Sequence, residues 1–265
     1  MGIIDTHCHL YLKDFDTDRE DVIRAARAAG IEGLLLPNID LSSIEPMHAL
    51  CEHYPGFAWP MMGLHPTSVN EDYPAVLRKM ESLLHTRPYC AIGETGIDLY
   101  WDKTRLKEQK AAFEEQLRWS IDLDLPVVIH TREAFPEVFD SIYKVGKDKL
   151  KGVFHSFSGK ESQLKEINQL KNFKLGIGGV VTYKNARLPE TLTHTGIEQI
   201  VLETDAPFLP PVPYRGKRNE PLYIRETAAK IASIYQLPFE ETVRITRTNT
   251  NELFKKICPL NRLSL

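Results

Sequence analysis

The sequence predicts an α/β protein folded as a (β/α)8 barrel, also called a TIM barrel, in one domain over residues 1–265. Eight short apolar segments alternate with amphipathic segments along the chain. Several of these apolar segments are uninterrupted, which is typical of parallel strands that are covered on both faces. The length of 265 residues also suits a barrel of this kind, which usually needs about 250 residues.

Each apolar segment is short enough to form one strand. The predicted strands are 2–7, 33–37, 57–64, 89–94, 126–130, 151–155, 173–178 and 198–205. Between the first two, residues 17–29 carry an apolar stripe at helical spacing, and Gly30 follows where a helix commonly ends. Further helices are predicted over 103–123, 221–235 and 238–256.

An open doubly wound sheet is the alternative arrangement for alternating strands and helices. That fold needs a glycine-rich phosphate-binding turn after its first strand. Here the first strand is followed by Cys8, His9 and Leu10, and the glycine-rich stretch 176–179 lies late in the chain without matching GxGxxG. The sequence therefore favours the barrel.

Composition limits the possible partners of the protein. Lys and Arg number 33 and Asp and Glu number 36, so the net charge is −3 and any contact with nucleic acid must be a local basic patch. We expect no membrane partner, since no apolar run is long enough to cross a bilayer, and nothing in the sequence points to a protein partner.

The N-terminus carries no secretory pattern and the four cysteines are scattered, so we expect a cytoplasmic protein.

Polar side chains follow the apolar segments at the predicted strand ends. The residues concerned are His7, His9, Glu94, His130, His155 and Asp205. The C-terminal ends of barrel strands converge on one face, and alternation along the first strand places Asp5, His7 and His9 on the same side. Burying such groups without a partner would cost several kcal/mol each, and a divalent cation removes that cost. These residues therefore predict a metal centre.

Six ligands are too many for one tetrahedral zinc ion, which takes three or four protein groups. We expect two divalent ions per chain, with Glu94 bridging them. One ion is assigned to His7, His9, Glu94 and Asp205, and the other to Glu94, His130 and His155. Mixed imidazole and carboxylate ligands leave the metal open among zinc, manganese, magnesium, cobalt and iron.

Several motifs, in this order along nearly the whole chain, resemble the TatD family of metal-dependent deoxyribonucleases, which are amidohydrolase-like TIM-barrel hydrolases. They are Asp5-Thr6-His7-Cys8-His9-Leu10, Gly63-Leu64-His65-Pro66, Gly93-Glu94-Thr95-Gly96-Ile97-Asp98, His130-Thr131-Arg132, His155-Ser156-Phe157-Ser158-Gly159, Glu203-Thr204-Asp205-Ala206-Pro207 and Arg215-Gly216-Lys217-Arg218-Asn219-Glu220-Pro221. The resemblance places the family's metal ligands on the same six residues. Ser156 departs from the family pattern, in which many members have Cys. The resemblance implies a 3′–5′ exonuclease on DNA, with RNA left open as a further substrate.

Within this interpretation, Asp205, Glu94 and His65 are the candidate catalytic residues. Asp205 is expected to hydrogen-bond the attacking water as well as bind an ion, and His65 to donate to a substrate phosphate or leaving group. Arg132 follows a ligand closely and suits a forked contact with phosphate. Arg215, Lys217 and Arg218 are expected to bind the backbone of a single-stranded nucleic-acid end.

Two other classes of function remain open from the residues alone. An amidohydrolase or lactonase would use the same metal centre on a carbonyl substrate and would need few phosphate-binding cations. A non-catalytic protein would keep the metals as structural elements, but a structural site needs only four ligands and no bridging carboxylate.

Overall fold

Eight parallel strands follow one another in the sheet in the same order as in the chain. They are seen in a computed structural model that describes residues 2–257; Cys258 and the outermost residues of the predicted domain lie outside this range. The strands are β1 (Ile3–Asp5), β2 (Ile31–Leu36), β3 (Ala58–Met62), β4 (Ala91–Asp98), β5 (Val127–Arg132), β6 (Gly152–Phe154), β7 (Phe173–Ile177) and β8 (Ile200–Leu202).

Helices fill the connections between the strands. They are α1 (Arg19–Ala28), α2 (Ile44–His53), α3 (Tyr73–Leu84), α4 (Leu106–Asp122), α5 (Phe135–Val145), α6 (Glu161–Gln169), α7 (Leu188–Leu192), α8 (Ile224–Tyr235) and α9 (Phe239–Leu253). None of the helices in the described range combines the length and the apolar character that a bilayer crossing requires.

Backbone hydrogen bonds just beyond β1 and β8 close the barrel. The amide of Thr6 donates to Leu202 O at 3.0 Å, that of Asp205 to His7 O at 2.9 Å, and that of His9 to Ala206 O at 2.7 Å. With β1 joined to both β2 and the end of β8, the predicted (β/α)8 barrel is confirmed and the open doubly wound sheet is wrong.

The core has an inner and an outer layer. The inner layer fills the barrel with Ile4, Leu35, Met61, Val128, Val153 and Val201, among others. Leu253, Phe254 and Ile257, from the end of the described chain, pack against the same cluster. The outer layer lies between strands and helices and includes Phe113 and Leu117 of α4, which are fully buried. Side chains alternate between these two layers along a strand.

In two places along the strands, the alternation of side chains between the inner and outer layers is interrupted. Site residues beyond these points lie on the face opposite to the one that uninterrupted alternation would predict. Ile92 and Ile97 of β4 both belong to the outer layer although they are an odd number of positions apart. The pairing of β4 with β5 shifts register between Ile92 and Thr95, as a bulge does. Ile3 and Cys8 show the same odd separation within the outer layer, so the phase also changes after β1.

All six strands that lead to predicted site residues end at positions different from the sequence-based prediction, with β3 ending at Met62 and β6 at Phe154. β4 and β5 continue to Asp98 and Arg132, whereas β1 and β8 end at Asp5 and Leu202, before the predicted ends. The Asp5 carboxylate accepts hydrogen bonds from the amides of His7 and Thr204. Because a side chain then takes the place of a ladder partner, regular pairing stops there.

Gly96 and Gly146 provide a matched pair for testing how closely β4 and β5 pack. Both have positive φ, at 145° and 128°, so alanine at either position costs about 1–3 kcal/mol in backbone strain. A Cβ at Gly96 would lie 2.0 Å from His130 O, whereas one at Gly146 would meet nothing within 4 Å. We expect Gly96→Ala to lower the free energy of unfolding by about 1–3 kcal/mol more than Gly146→Ala. Urea unfolding measures the difference, and equal losses would contradict this packing.

Candidate metal centre

His7 and His9 lie in the turn after β1, and their imidazoles meet at the C-terminal end of the barrel. Their Nε2 atoms are 3.2 Å apart. The Tyr11 hydroxyl donates to Pro37 O at 2.6 Å, so Nδ1 of His9, 2.9 Å away, donates to Tyr11. This tautomer leaves the lone pair of His9 Nε2 free for a metal ion.

Asp5 does not join the two histidines, so the expectation that all three share one face is wrong for Asp5. Its carboxylate is fully buried and accepts from the amide and hydroxyl of Thr204, at 2.9 and 2.6 Å. Burial raises the pKa of Asp5 to about 8, against the opposing effect of these hydrogen bonds. Asp5 thus joins the ends of β1 and β8.

Glu94 presents one carboxylate oxygen to the histidine pair. Its Oε2 lies 3.1 Å from His7 Nε2 and 3.6 Å from His9 Nε2. Asp205 faces the same pair, with Oδ1 3.8 Å from His7 Nε2 and 3.6 Å from His9 Nε2. These four residues are those that the sequence assigned to one ion.

The other oxygen of Glu94 faces a second group of imidazoles. Its Oε1 lies 2.9 Å from His130 Nδ1, 3.4 Å from His65 Nε2 and 3.8 Å from His155 Nε2. Since His155 Nε2 is also 3.7 Å from Asp205 Oδ1, this ring lies between the two groups. His65, which the sequence analysis placed outside the set of metal ligands, thus faces the same carboxylate oxygen as His130.

Three partners of the histidines were missed by sequence reasoning: Tyr11, Asp98 and Glu203. Asp98 Oδ2 lies 2.9 Å from His130 Nε2, and Glu203 Oε1 lies 2.9 Å from His155 Nδ1. Buried partners of this kind orient metal-binding imidazoles and fix their tautomers. The spacing along the chain could have identified Glu203. It comes two positions after the inward-facing Val201 and two positions before Asp205, so alternation predicts that it faces the site. Asp98 is likewise an even number of positions from Glu94, but the predicted strand ended at Glu94, whereas β4 continues to Asp98.

The electrostatics of the cluster suit metal ligands. Burial opposes ionisation of Glu94, yet His65, His7 and His155 hold its pKa well below the usual range. Burial likewise opposes ionisation of Asp205, but His155 and its neighbours lower its pKa.

Burial lowers the pKa of His7 and so favours its neutral form. Burial alone would also lower the pKa of His130, but hydrogen bonds with Asp98 and Glu94 raise it. Imidazoles bind metals in the neutral form, so an ion at this site would displace the protons that the carboxylates hold there.

Groups of donor atoms close enough to share an ion occur on both sides of Glu94. They are His7 with His9 and Glu94, His7 with His155 and Glu203, and His65 with Glu94 and His130. The Nδ1 atom of His7 is buried without a hydrogen-bond partner among the described residues. Nitrogen and oxygen donors without thiolate fit the borderline and hard divalent metals expected from the sequence.

A cavity of about 620 Å³ opens above the cluster. Its wall includes Trp101, Arg132 and Phe208 beside the site residues His65 and Asp205. This volume is within the usual range of about 300–1,000 Å³ for small-ligand pockets. The cavity therefore gives a substrate direct access to the candidate ligands.

The predicted phosphate-binding cations differ in their placement. Arg132 lines the cavity, whereas the wall described for it does not include Arg215, Lys217 or Arg218. Arg215 and Lys217 are exposed, with the Arg215 guanidinium 3.9 Å from the centre of the Tyr183 ring. Arg218 donates to both carboxylate oxygens of Asp18, at 2.8 and 2.6 Å, and to Glu220 at 3.0 Å. Its donors are thus directed at acidic side chains, and this placement gives no support to a phosphate contact by Arg218.

Residues 4–255 match the family model described as TatD related DNase. The chain belongs to this family. It is 35% identical over 254 residues to the uncharacterized metal-dependent hydrolase YabD of Bacillus subtilis, covering 96% of this chain and 99% of that one. It is also 34% identical over 238 residues to the 3′-5′ ssDNA/RNA exonuclease TatD of Klebsiella pneumoniae, covering 87% and 89%.

Solved structures of TatD-family proteins share the fold. The crystal structure of YjjV, a TatD homologue from Escherichia coli K12, superposes with a TM-score of 0.89 at 29% identity, covering 96% of this chain and 98% of that one. A TatD-family hydrolase from Entamoeba histolytica superposes with a TM-score of 0.86 at 20% identity, covering 96% and 98%. Membership of the TatD family makes this protein a metal-dependent hydrolase.

Glu203→Gln tests whether the buried partner of His155 supports metal binding. The amide keeps the size of the side chain but removes the charge beside Nδ1, so we expect metal affinity to fall about 10- to 100-fold with the fold retained. Competition with a chelator measures the affinity, and circular dichroism checks the fold. Glu198→Gln, at an exposed position before β8, is the control. Unchanged affinity in Glu203→Gln would show that this carboxylate does not support the site.

Proposed function

We propose that this TatD-family hydrolase is a nuclease that cleaves phosphodiester bonds at single-stranded nucleic-acid ends, with two divalent ions held on either side of Glu94. The observation that carries the proposal is the division of the Glu94 carboxylate between two groups of imidazoles. The Klebsiella pneumoniae relative is named an exonuclease on single-stranded DNA and RNA, which favours the same chemistry for this chain.

Two divalent ions would supply an activated water and neutralise the charge that develops on the phosphate. His7, His9, Glu94 and Asp205 would hold the first ion. The second would be held by Glu94, His130 and His155, with Asp98 accepting from Nε2 of His130.

Asp205 is proposed to orient the attacking water and accept its proton. Its side chain lines the cavity and is 14% exposed, more than that of Glu94 at 3%, so water can reach it. The lowered pKa keeps it ionised and able to accept a proton. A positioned carboxylate of this kind contributes about 10²- to 10⁴-fold to a rate.

His65 is proposed to donate a hydrogen bond to the substrate phosphate or to the leaving group. The backbone amide of Thr67 donates to His65 Nδ1 at 3.2 Å, so the neutral ring carries its proton on Nε2. Burial lowers the pKa of His65 and so favours this neutral form. A protonated Nε2 is a hydrogen-bond donor, which argues for substrate binding over metal binding.

The positive side chains around the site favour a phosphodiester over a carbonyl substrate. Arg132 lines the cavity, and Arg215 and Lys217 are exposed on the loop after β8. We propose that these three contact phosphate groups, which position a strand without reading its sequence. Arg218 is assigned to holding this loop against Asp18, in place of the phosphate contact expected from sequence.

The test compares two kinds of substrate on the metal-loaded protein. We expect hydrolysis of bis-p-nitrophenyl phosphate and of a single-stranded oligonucleotide, with little turnover of an ester and lactone panel. Glu94→Ala, purified in parallel, controls for contaminating nucleases. Turnover of the carbonyl panel without phosphodiester cleavage would establish the amidohydrolase or lactonase alternative.

Asp205→Asn tests the proposed proton acceptor. The substitution preserves the shape of the side chain but removes its charge and its proton affinity. We expect turnover of the oligonucleotide to fall by roughly 10²-fold or more. Initial rates at saturating metal measure the loss, with metal content determined on the same samples. Activity within about threefold of the parent, with metals bound, would rule out this role.

Arg215→Gln and Lys217→Gln test the proposed backbone contacts. Each true phosphate contact on a single strand adds about 0.7 to the slope of log affinity against log salt. We expect each substitution to lower the slope by about this amount and to weaken binding similarly for all sequences. Binding is measured with the inactive Asp205→Asn protein. Lys149→Gln, at an exposed position before β6, is the control. An unchanged slope in the double variant would remove these two residues from the binding surface.

A further inference from the structure

Two large aromatic side chains are exposed together near the cavity, and one of them, Trp101, contributes to its wall. Trp101 is 70% exposed and Tyr100 is 50% exposed, both on the loop between β4 and α4. Their rings pack edge to face with centroids 5.0 Å apart. The guanidinium carbon of Arg132, at the end of β5, lies 3.8 Å from the centre of the Tyr100 ring and 5.5 Å from that of Trp101. We call Tyr100, Trp101 and Arg132 the aromatic platform.

The platform is attached directly to the metal centre. One oxygen of the Asp98 carboxylate accepts from the amides of Tyr100 and Trp101, at 2.9 and 3.2 Å. The other oxygen lies 2.9 Å from Nε2 of His130. Asp98 is itself held by Gln109 of α4, whose side chain bonds both its amide and its carbonyl. These hydrogen bonds link the backbone of the Trp101 loop to the candidate ligand His130.

A third exposed aromatic ring belongs to the same cavity. Phe208, on the loop after β8, is 50% exposed, and its ring centre lies 6.2 Å from that of His9. Both Trp101 and Phe208 contribute to the cavity wall. Clusters of exposed apolar surface beside a polar site are typical of ligand binding.

We propose that Trp101 stacks on an unpaired base next to the scissile phosphodiester, with Tyr100 and Arg132 holding its ring in place. This subsite rests on the nuclease function proposed above and explains why a single-stranded end would be accepted. Aromatic stacking accepts every base, because each base has a π face. Bases within a duplex have both faces covered by neighbouring pairs, and freeing one costs a few kcal/mol.

The test combines variants of Trp101 with an oligonucleotide that lacks one base. The metal-loaded parent, Trp101→Ala and Trp101→Phe are assayed on a single-stranded oligonucleotide and on versions with one abasic residue at each of the last few positions. Tyr143→Ala removes an exposed aromatic side chain that is not in the described wall of the cavity and serves as the control.

We expect Trp101→Ala to lower kcat/KM on the complete strand about 5- to 150-fold, mainly by raising KM, because one stacked base contributes that much to binding. Trp101→Phe retains most of the activity, since phenylalanine also stacks. When the missing base is the one that stacks on Trp101, we expect kcat/KM of the parent to fall by a similar factor. On that abasic strand, Trp101→Ala should have nearly the same kcat/KM as the parent. Tyr143→Ala behaves as the parent on every strand.

The outcomes separate this subsite from the nuclease function. If the parent cleaves the complete strand and Trp101→Ala matches it, the stacking proposal is overturned while the function stands. The stacking proposal would also be overturned if Trp101→Ala lowered kcat/KM relative to the parent by the same factor on the complete strand and on every abasic strand. The effect of Trp101 would then not depend on the presence of a base. If the parent cleaves no oligonucleotide but hydrolyses the carbonyl panel, the nuclease function itself is overturned.

Discussion

The buried carboxylate of Glu94 is the group around which the whole site is arranged. Five imidazoles place a nitrogen within 4 Å of its two oxygens, although the side chain is only 3% exposed. An isolated charge so deep in the protein would be prohibitively costly, so the carboxylate requires positive charge beside it. Burial alone lowers the pKa of His155, but Glu203, Glu94 and Asp205 raise it to about 10. The raised pKa reflects the attraction of these carboxylates for a positive charge, and a bound metal ion would displace the proton.

The alternating inner face of the barrel explains how much of this centre could be predicted. Val128, Val153 and Val201 fill the barrel, and His130, His155 and Glu203 each follow two positions later on the same face. The sequence shows this pattern directly: an apolar residue deep in the barrel is followed, two positions later, by a polar residue nearer the mouth. The order of strands and the polar residues at their ends could therefore be predicted without coordinates.

The phase changes limit what alternation can predict. Alternation continued from Ile3 would place His7 in the outer layer, and alternation continued from Ile92 would place Glu94 there. Their side chains instead meet in the site, 3.1 Å apart. The shifts that cause this depend on pairing with neighbouring strands, which one segment does not reveal. The pairing of Arg218 with Asp18 could not be predicted from one segment either, because the two residues are 200 positions apart in sequence. From the sequence, the three loop cations were all expected to bind phosphate. In the folded chain Arg218 is paired with Asp18, whereas Arg215 and Lys217 are exposed.

Under the proposed nuclease function, recognition of a nucleic acid would combine two interactions with different dependence on salt. The chain as a whole is negatively charged, at −3, so long-range attraction of a polyanion would have to come from local cations and from bound metal ions. Such contacts weaken steeply as salt rises. Stacking on Trp101 involves a neutral ring and would persist at high salt. Since Asp98 bonds both the Trp101 loop and His130, any movement of that loop would also disturb a candidate ligand. The proposed base-stacking subsite and the candidate metal centre would thus depend on the same buried carboxylate.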